Sequence, residues 1–255
     1  MESFQHGFDA FDYQSFGELH RNIVITPDEK YVYFSIPKCG CSSVKVFLRV
    51  LYGQTLAEAQ SNPHSIEKSP FIVLDNAGNL NERIEAYISS GDTFAFSVIR
   101  DPRQRVLSAF LNKFEYANDE TKAIFGKQLF GVSNNDNALS LARSLDFMGF
   151  LLAISKQEPL RMNEHWRPMT YQILRLQNSI ELFTLDNISL LFEKILTSKP
   201  SSSLSRDFKF TPHSTGSKDL IQSYFSGRVE SLFNAIYEDD IDLYCKASQA
   251  AHPIS

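Results

Sequence analysis

The chain has 255 residues, 43% of them hydrophobic and 13% aromatic, enough to bury a full core as one α/β domain or as two small ones. A formal net charge of −5 and a pI near 5.7 offer no basic face, which argues against nucleic acid or another densely anionic polymer as partner. Three cysteines make no disulfide framework, no apolar run reaches the roughly 18 residues of a membrane span, and no signal-peptide pattern opens the chain, so a soluble cytoplasmic protein is expected.

Residues 31–36, YVYFSI, alternate aromatic and β-branched types and predict a strand. After Pro37 comes a short loop, Lys38-Cys39-Gly40-Cys41-Ser42-Ser43. From Ser43 the apolar residues Val44, Phe47, Leu48 and Leu51 recur at helical spacing, up to a stop at Gly53. A strand that turns directly into a helix collects backbone N–H groups at the positive end of the helix dipole, where phosphate or sulfate binds readily. Gly40 lets the backbone approach such a ligand, Lys38 adds a mobile positive charge, and Ser42 and Ser43 add hydroxyl donors. The pattern GxxxxGK[ST] is absent, because here the lysine precedes the glycine. An ordinary turn, capped by Ser42 or Ser43 and with Lys38 in solvent, accounts for the same letters. Cys39 and Cys41 have no second Cys or His pair at ligand spacing, so no metal is expected and both read as small loop fillers.

Residues 93–100, TFAFSVIR, predict a second strand, apolar on both faces as a buried parallel strand should be. Asp101 then stands at a helix cap and Pro102 at the first helical position, with Val106, Phe110 and Phe114 at i+4 intervals. Arg100 at the strand end and Ser108 on the helix can grip one more phosphate; a local Arg100–Asp101 ion pair with a neutral Ser108 is the plain alternative. Residues 131–139 read as an Asn-rich loop and 197–206 as a surface loop. Helices are expected at 138–156, 186–197 and 217–238, with a short strand at IELFTL. Strands alternating with helices predict a mainly parallel sheet flanked by helices on both faces. A single domain is expected, with its core at 31–244 and an extension at 1–30.

Together the two strand–loop–helix units resemble the sulfotransferase superfamily, in particular the carbohydrate sulfotransferases of the HNK-1 and chondroitin type. In that family a PK-x-G/A-C-[ST] loop holds the 5′-phosphosulfate of 3′-phosphoadenosine 5′-phosphosulfate (PAPS). An RDP-x-x-R-x-x-SA(Y/F) segment holds the 3′-phosphate. Pro37 to Ser43 and Arg100 to Phe110 are similar to these two motifs. Further likeness follows in the family's order at SLDFMGFLLAIS, NEHWRPM, SIELFTLDNISLLFEKI, FTPHSTGS and VESLFNAIYEDDIDLY. The membrane anchor and lumenal disulfides of eukaryotic members are missing, which suggests a soluble prokaryotic-type enzyme. Ser43-Val44 stands where relatives often have Asn-Trp.

The resemblance implies a sulfotransferase fold with a P-loop-like sheet, PAPS as donor, no metal, and a carbohydrate or glycoconjugate acceptor. Lys38 is expected at the leaving phosphate, with the backbone of residues 39–43 and the Ser42 hydroxyl on the 5′-phosphate. Arg100 and Ser108 are expected on the 3′-phosphate, with Ser214 and Thr215 of the HSTGS loop closing over it. Two histidines compete as general base: His165 in NEHWRP, which is favoured, and His64 in SNPHSIEK, with Glu164 in reserve. Trp166 and Arg167 beside His165 are expected as a sugar-stacking ring and an anion-binding guanidinium, although a lone tryptophan is more often core. The acceptor pocket is expected from loops 54–92, 115–137 and 157–172. A P-loop-type ATP-dependent kinase and an inactive nucleotide- or glycan-binding relative remain as alternatives. The letters do not address oligomeric state.

Overall fold

The protein is described by a computed structural model over residues 22–65, 68–72, 80–173, 176–199 and 216–250. In chain order the strands and longer helices are β1 (Ile23–Ile25), β2 (Tyr31–Phe34), α1 (Cys41–Leu51), α2 (Leu56–Ser61), α3 (Leu80–Ser89), β3 (Phe94–Ile99) and α4 (Pro102–Phe110). They continue as α5 (Asp119–Phe130), α6 (Asn135–Arg143), α7 (Phe147–Ile154), α8 (Met169–Gln172), β4 (Glu181–Thr184), α9 (Ile188–Ser198), α10 (Ser217–Tyr224) and α11 (Arg228–Ala250). Among the described residues no helix is long and apolar enough to cross a membrane. The chain divides into two compact units: Met1–Ile99 with Gln172–Pro212 and Ala247–Ser255, and Arg100–Tyr171 with His213–Lys246.

The first unit holds a four-stranded sheet in the order β1-β2-β3-β4. β2, β3 and β4 run parallel, and β1 adds an antiparallel edge, so the sheet is mixed. Phe34 pairs with Ser97 and Ile99 with Thr184, which puts the carboxyl ends of the three parallel strands along one edge. β3 is buried almost throughout, as a strand covered on both faces requires. On one face Tyr33 stacks on Phe96 at 5.2 Å between centroids, and Phe94 stacks on Phe96 at 5.1 Å. Val44, Phe47 and Leu48 of α1 and Leu191 and Ile195 of α9 complete that cluster. Each such fully buried side chain stabilises the unit by about 1.5–3 kcal/mol. α2 and α3 lie within the interval 54–92 that sequence reasoning left as loop. A capping box starts α2, the Thr55 hydroxyl accepting from the Glu58 amide while the Glu58 carboxylate accepts from the Thr55 amide.

In the second unit Asp101 caps α4 as expected, accepting from the Gln104 amide at 2.9 Å, with Pro102 next. The helix runs on through a π turn, Leu111–Glu115. Phe110, Phe114, Phe147, Phe150, Trp166, Phe233 and Tyr237 form the core here. Four expectations change. The helix expected at 138–156 is two helices, α6 and α7, because the Asp146 carboxylate accepts from the Gly149 amide at 2.7 Å and starts a new cap inside the apolar run. The helix expected at 217–238 breaks before α11 at Gly227, whose φ of 51° is left-handed. The stretch 131–139 is not all loop: Asn134 caps α6 by accepting from the Asn137 amide at 3.0 Å. Likewise α5 occupies most of the expected loop 115–137.

Candidate functional site

The loop leaving β2 turns into α1 through two left-handed residues, Lys38 at φ 68° and Gly40 at φ 76°. A non-glycine residue there carries about 1–2 kcal/mol of strain, which the surroundings must impose. α1 starts on Gly40 with no side-chain cap, so neither Ser42 nor Ser43 serves as the helix cap that the plain-turn reading required. Cys39 is fully buried, Ser43 buried, and Lys38, Gly40, Cys41 and Ser42 half-buried. A Cβ on Gly40 would lie 2.5 Å from the Leu185 Cδ1 atom. Gly40→Ala is therefore expected to lower stability by about 1–2 kcal/mol in chemical denaturation, from the left-handed backbone plus a shift of Leu185. Wild-type stability in that variant would show that the loop is looser than this geometry.

His64 meets this loop. Its Nε2 lies 3.0 Å from the Ser42 Oγ. The segment carrying it is held from α1, where buried Arg49 donates to the Ser65 and Lys68 carbonyls and to the Gln54 side chain. Gln54 in turn donates to the Lys68 carbonyl at 2.6 Å. Among the described residues no cluster of His, Cys, Asp and Glu has the arrangement of a metal site.

In the second unit the Arg100 guanidinium donates to the Ser217 Oγ at 3.0 Å and to the Gln104 Oε1 at 3.3 Å. Ser217 is buried and opens α10, whose cap is the left-handed Gly216, again without a side-chain cap. Ser108 is buried on α4, two turns into the helix that Asp101 caps. Sequence reasoning did not select Ser217. The signal was available, because this serine closes the HSTGS stretch directly before a predicted helix. Ser214 and Thr215 lie outside the described residues.

The segment 163–170 is gripped by buried polar groups. Fully buried Arg105 donates to the Glu164 carbonyl at 3.0 Å and the Arg167 carbonyl at 2.9 Å. The Tyr237 hydroxyl donates to the Trp166 carbonyl at 2.6 Å. The Asp240 carboxylate accepts from the amides of Met169 at 2.7 Å and Thr170 at 2.9 Å. Burial pushes the Asp240 carboxyl above the ordinary carboxylate value, while Arg105 and these amides pull it back. Burial also raises the Tyr237 phenol, with Arg105 acting against it.

This grip corrects one expectation, Trp166 as a sugar-stacking ring. Trp166 is fully buried, packed against Phe114, Phe125 and Phe150, with its indole N–H donating to the Gln157 Oε1 at 3.0 Å. It presents no face on which a sugar could stack. The Arg167 guanidinium donates to the Met162 carbonyl at 2.7 Å, which makes it a brace of its own loop. His165 has its Nδ1 2.7 Å from the Asn163 Oδ1, and its ring meets Phe125 edge-on at 5.3 Å. The Lys113 ammonium sits over the other partner of that contact, 4.3 Å from the Phe125 centroid. Burial pushes the Lys113 ammonium down, and the neighbouring Glu164 carboxylate pulls it back up.

Comparison with known proteins places the chain among sulfotransferases. The chain is similar to carbohydrate sulfotransferase 14 of Danio rerio, 27% identical over 157 residues that cover 59% of this chain and 40% of that protein. It is similar to human carbohydrate sulfotransferase 9, 26% identical over 161 residues, 58% of this chain and 34% of the relative. It is also similar to carbohydrate sulfotransferase 11 of Danio rerio, 26% identical over 162 residues, 58% of this chain and 44% of the relative. The chain thus spans less than half the length of these curated relatives. No solved structure matches it. The model of the sulfotransferase family matches residues 21–244, nearly the whole described chain and both strand–loop–helix segments, and the chain belongs to that family.

Proposed function

We propose that this protein transfers a sulfuryl group from PAPS to a hydroxyl of a carbohydrate, with His64 as general base. The observation that carries the reading is the loop after β2: left-handed Lys38 and Gly40, a helix start with no side-chain cap, and the Ser42 hydroxyl 3.0 Å from the His64 imidazole. Sulfuryl transfer, like phosphoryl transfer, runs in line through a loose transition state, so the protein contributes position and charge. Lys38 neutralises the charge that grows on the bridging oxygen as the phosphate leaves. Backbone N–H groups of residues 39–43, with the Ser42 hydroxyl, hold the 5′-phosphate. Arg100 and Ser108 hold the 3′-phosphate, and Ser217, already hydrogen-bonded to Arg100, joins them. His64 takes the proton of the attacking hydroxyl as the new S–O bond forms and the old one to the phosphate breaks. The carbohydrate acceptor rests on the names of the relatives. Glu164 and His165, on the braced 163–170 segment, are the side chains assigned to contact it.

The test is calorimetric titration of wild type and Arg100→Ala with 3′-phosphoadenosine 5′-phosphate, with ATP and AMP as controls, followed by PAPS turnover against a panel of glycosides. Charge-assisted hydrogen bonds contribute about 1.5–3 kcal/mol, so Arg100→Ala is expected to weaken the bisphosphate about 10- to 100-fold. ATP binding more tightly than the bisphosphate, or a variant that binds like wild type, sinks the donor assignment and brings the kinase reading forward.

A further inference from the structure

We propose that Arg49 is a positioning residue for catalysis, acting through His64; the inference rests on His64 being the base. Ser42 and Arg49 are seven residues apart on α1, two turns, and therefore lie on one stripe of the helix. The upper end of that stripe touches the imidazole through the Ser42 Oγ at 3.0 Å. The lower end holds the main chain that carries it: Arg49 donates to the carbonyl of Ser65, the residue after His64, and to that of Lys68 at 3.4 Å. Gln54 backs this arrangement, donating to the Lys68 carbonyl at 2.6 Å and accepting from Arg49 at 3.3 Å. His64 itself is exposed and lies in a turn closed by the Ser65 amide on the Asn62 carbonyl at 3.2 Å. Such a turn has no packed core of its own to fix a side chain. One helix thus sets both the anion loop and the height and direction of the base.

The cost of the arrangement argues for its purpose. Arg49 is 2% exposed, and its hydrogen-bond acceptors among the described residues are neutral carbonyls and an amide, with the Phe71 ring 5.9 Å away. Burying a guanidinium costs desolvation that a methionine or leucine of much the same volume would not. What the guanidinium supplies, and an apolar side chain cannot, is a planar fork that holds two carbonyls at once.

The experiment is a double-mutant cycle with Arg49→Met and His64→Ala, reading the rate at which bisphosphate is released from PAPS, with bisphosphate affinity by calorimetry alongside. Arg49→Met is expected to lower kcat about 10- to 100-fold while leaving the bisphosphate Kd within about twofold, since position rather than donor binding is lost. In the His64→Ala background the same substitution is expected to cost less than about twofold. Arg49→Lys, which can still donate to one carbonyl, is expected to recover part of the rate. Should Arg49→Met fail to fold, Gln54→Ala removes one support of the same segment and is expected to lose a few-fold with the same non-additivity. Equal losses in both backgrounds, or a weakened bisphosphate, overturn the proposal and make Arg49 a structural residue of α1. A His64→Ala variant with wild-type turnover instead overturns the base assignment, whatever Arg49→Met does.

Discussion

Lys38→Ala is expected to lower kcat for sulfuryl transfer by about 10²–10³-fold, the usual loss when one preorganised donor to a developing charge is removed. Its effect on bisphosphate affinity is expected to be much smaller, less than about tenfold. The physical reason is that charge accumulates on the bridging oxygen only as the S–O bond breaks. An ammonium aimed there is worth more in the transition state than in the ground state. The backbone around it supports this assignment: φ at Lys38 is 68°, a conformation that L residues adopt at a cost, two positions ahead of Gly40 at φ 76°. Lys38→Gly separates the two aspects. It removes the amine and the left-handed penalty together, so stability is expected within about 1 kcal/mol of wild type while turnover collapses as in Lys38→Ala. Single-turnover kinetics with saturating PAPS measure this directly. If either variant keeps more than about a tenth of kcat, Lys38 is not the group at the leaving oxygen.

The choice between the two histidines follows. His64→Ala is expected to lose about 10²–10⁴-fold in kcat, the range for a general base. Bisphosphate affinity is expected to hold. His165→Ala is expected to lose less than about tenfold. His64 has its Nε2 on the hydroxyl of the anion loop, 3.0 Å from the Ser42 Oγ. His165 has its Nδ1 2.7 Å from the Asn163 Oδ1 and its ring against the Phe125 edge, with no contact to the loop after β2 among those described. The reverse pattern, a large loss in His165→Ala with His64→Ala near wild type, hands the base role to His165.

Both arginine clamps share one logic. Arg49 follows the first anion loop and holds the Ser65 and Lys68 carbonyls beyond His64; Arg105 follows the second and holds those on either side of His165. Each lies in the helix that leaves its strand–loop unit, so the rigid element that follows the loop also fixes a histidine-bearing segment. Fork geometry explains why arginine rather than lysine stands at both places.

Local chemistry made much of the architecture legible from the letters. The aromatic and β-branched run at β2, the apolar run at β3, and Asp101-Pro102 ahead of α4 are short-range patterns that the backbone obeys directly. The two strand-to-helix turns were legible for the same reason, since glycine, lysine and hydroxyls next to a helix start form a contiguous signal. β1 was not, because three residues, Ile23–Ile25, carry too little periodicity, and only pairing with β2 makes them a strand. Nor were the breaks in the long helices, where Asp146 and Gly227 interrupt apolar runs that otherwise keep helical spacing.

What the sequence determined by itself is the set of local elements and the family likeness, carried by the segments 37–43 and 100–108. What only the tertiary structure decided is which distant residues join them. The contact between Ser42 and His64 spans 22 positions, and that between Arg100 and Ser217 spans 117. No short window of sequence contains either pair. Trp166 read as ligand-facing from its polar neighbours, yet burial turned it into core, while the Arg167 guanidinium donates to the Met162 carbonyl. Arg49 and Arg105 went unassigned because arginine is usually exposed. Only a fold that hides them among backbone carbonyls shows what they hold.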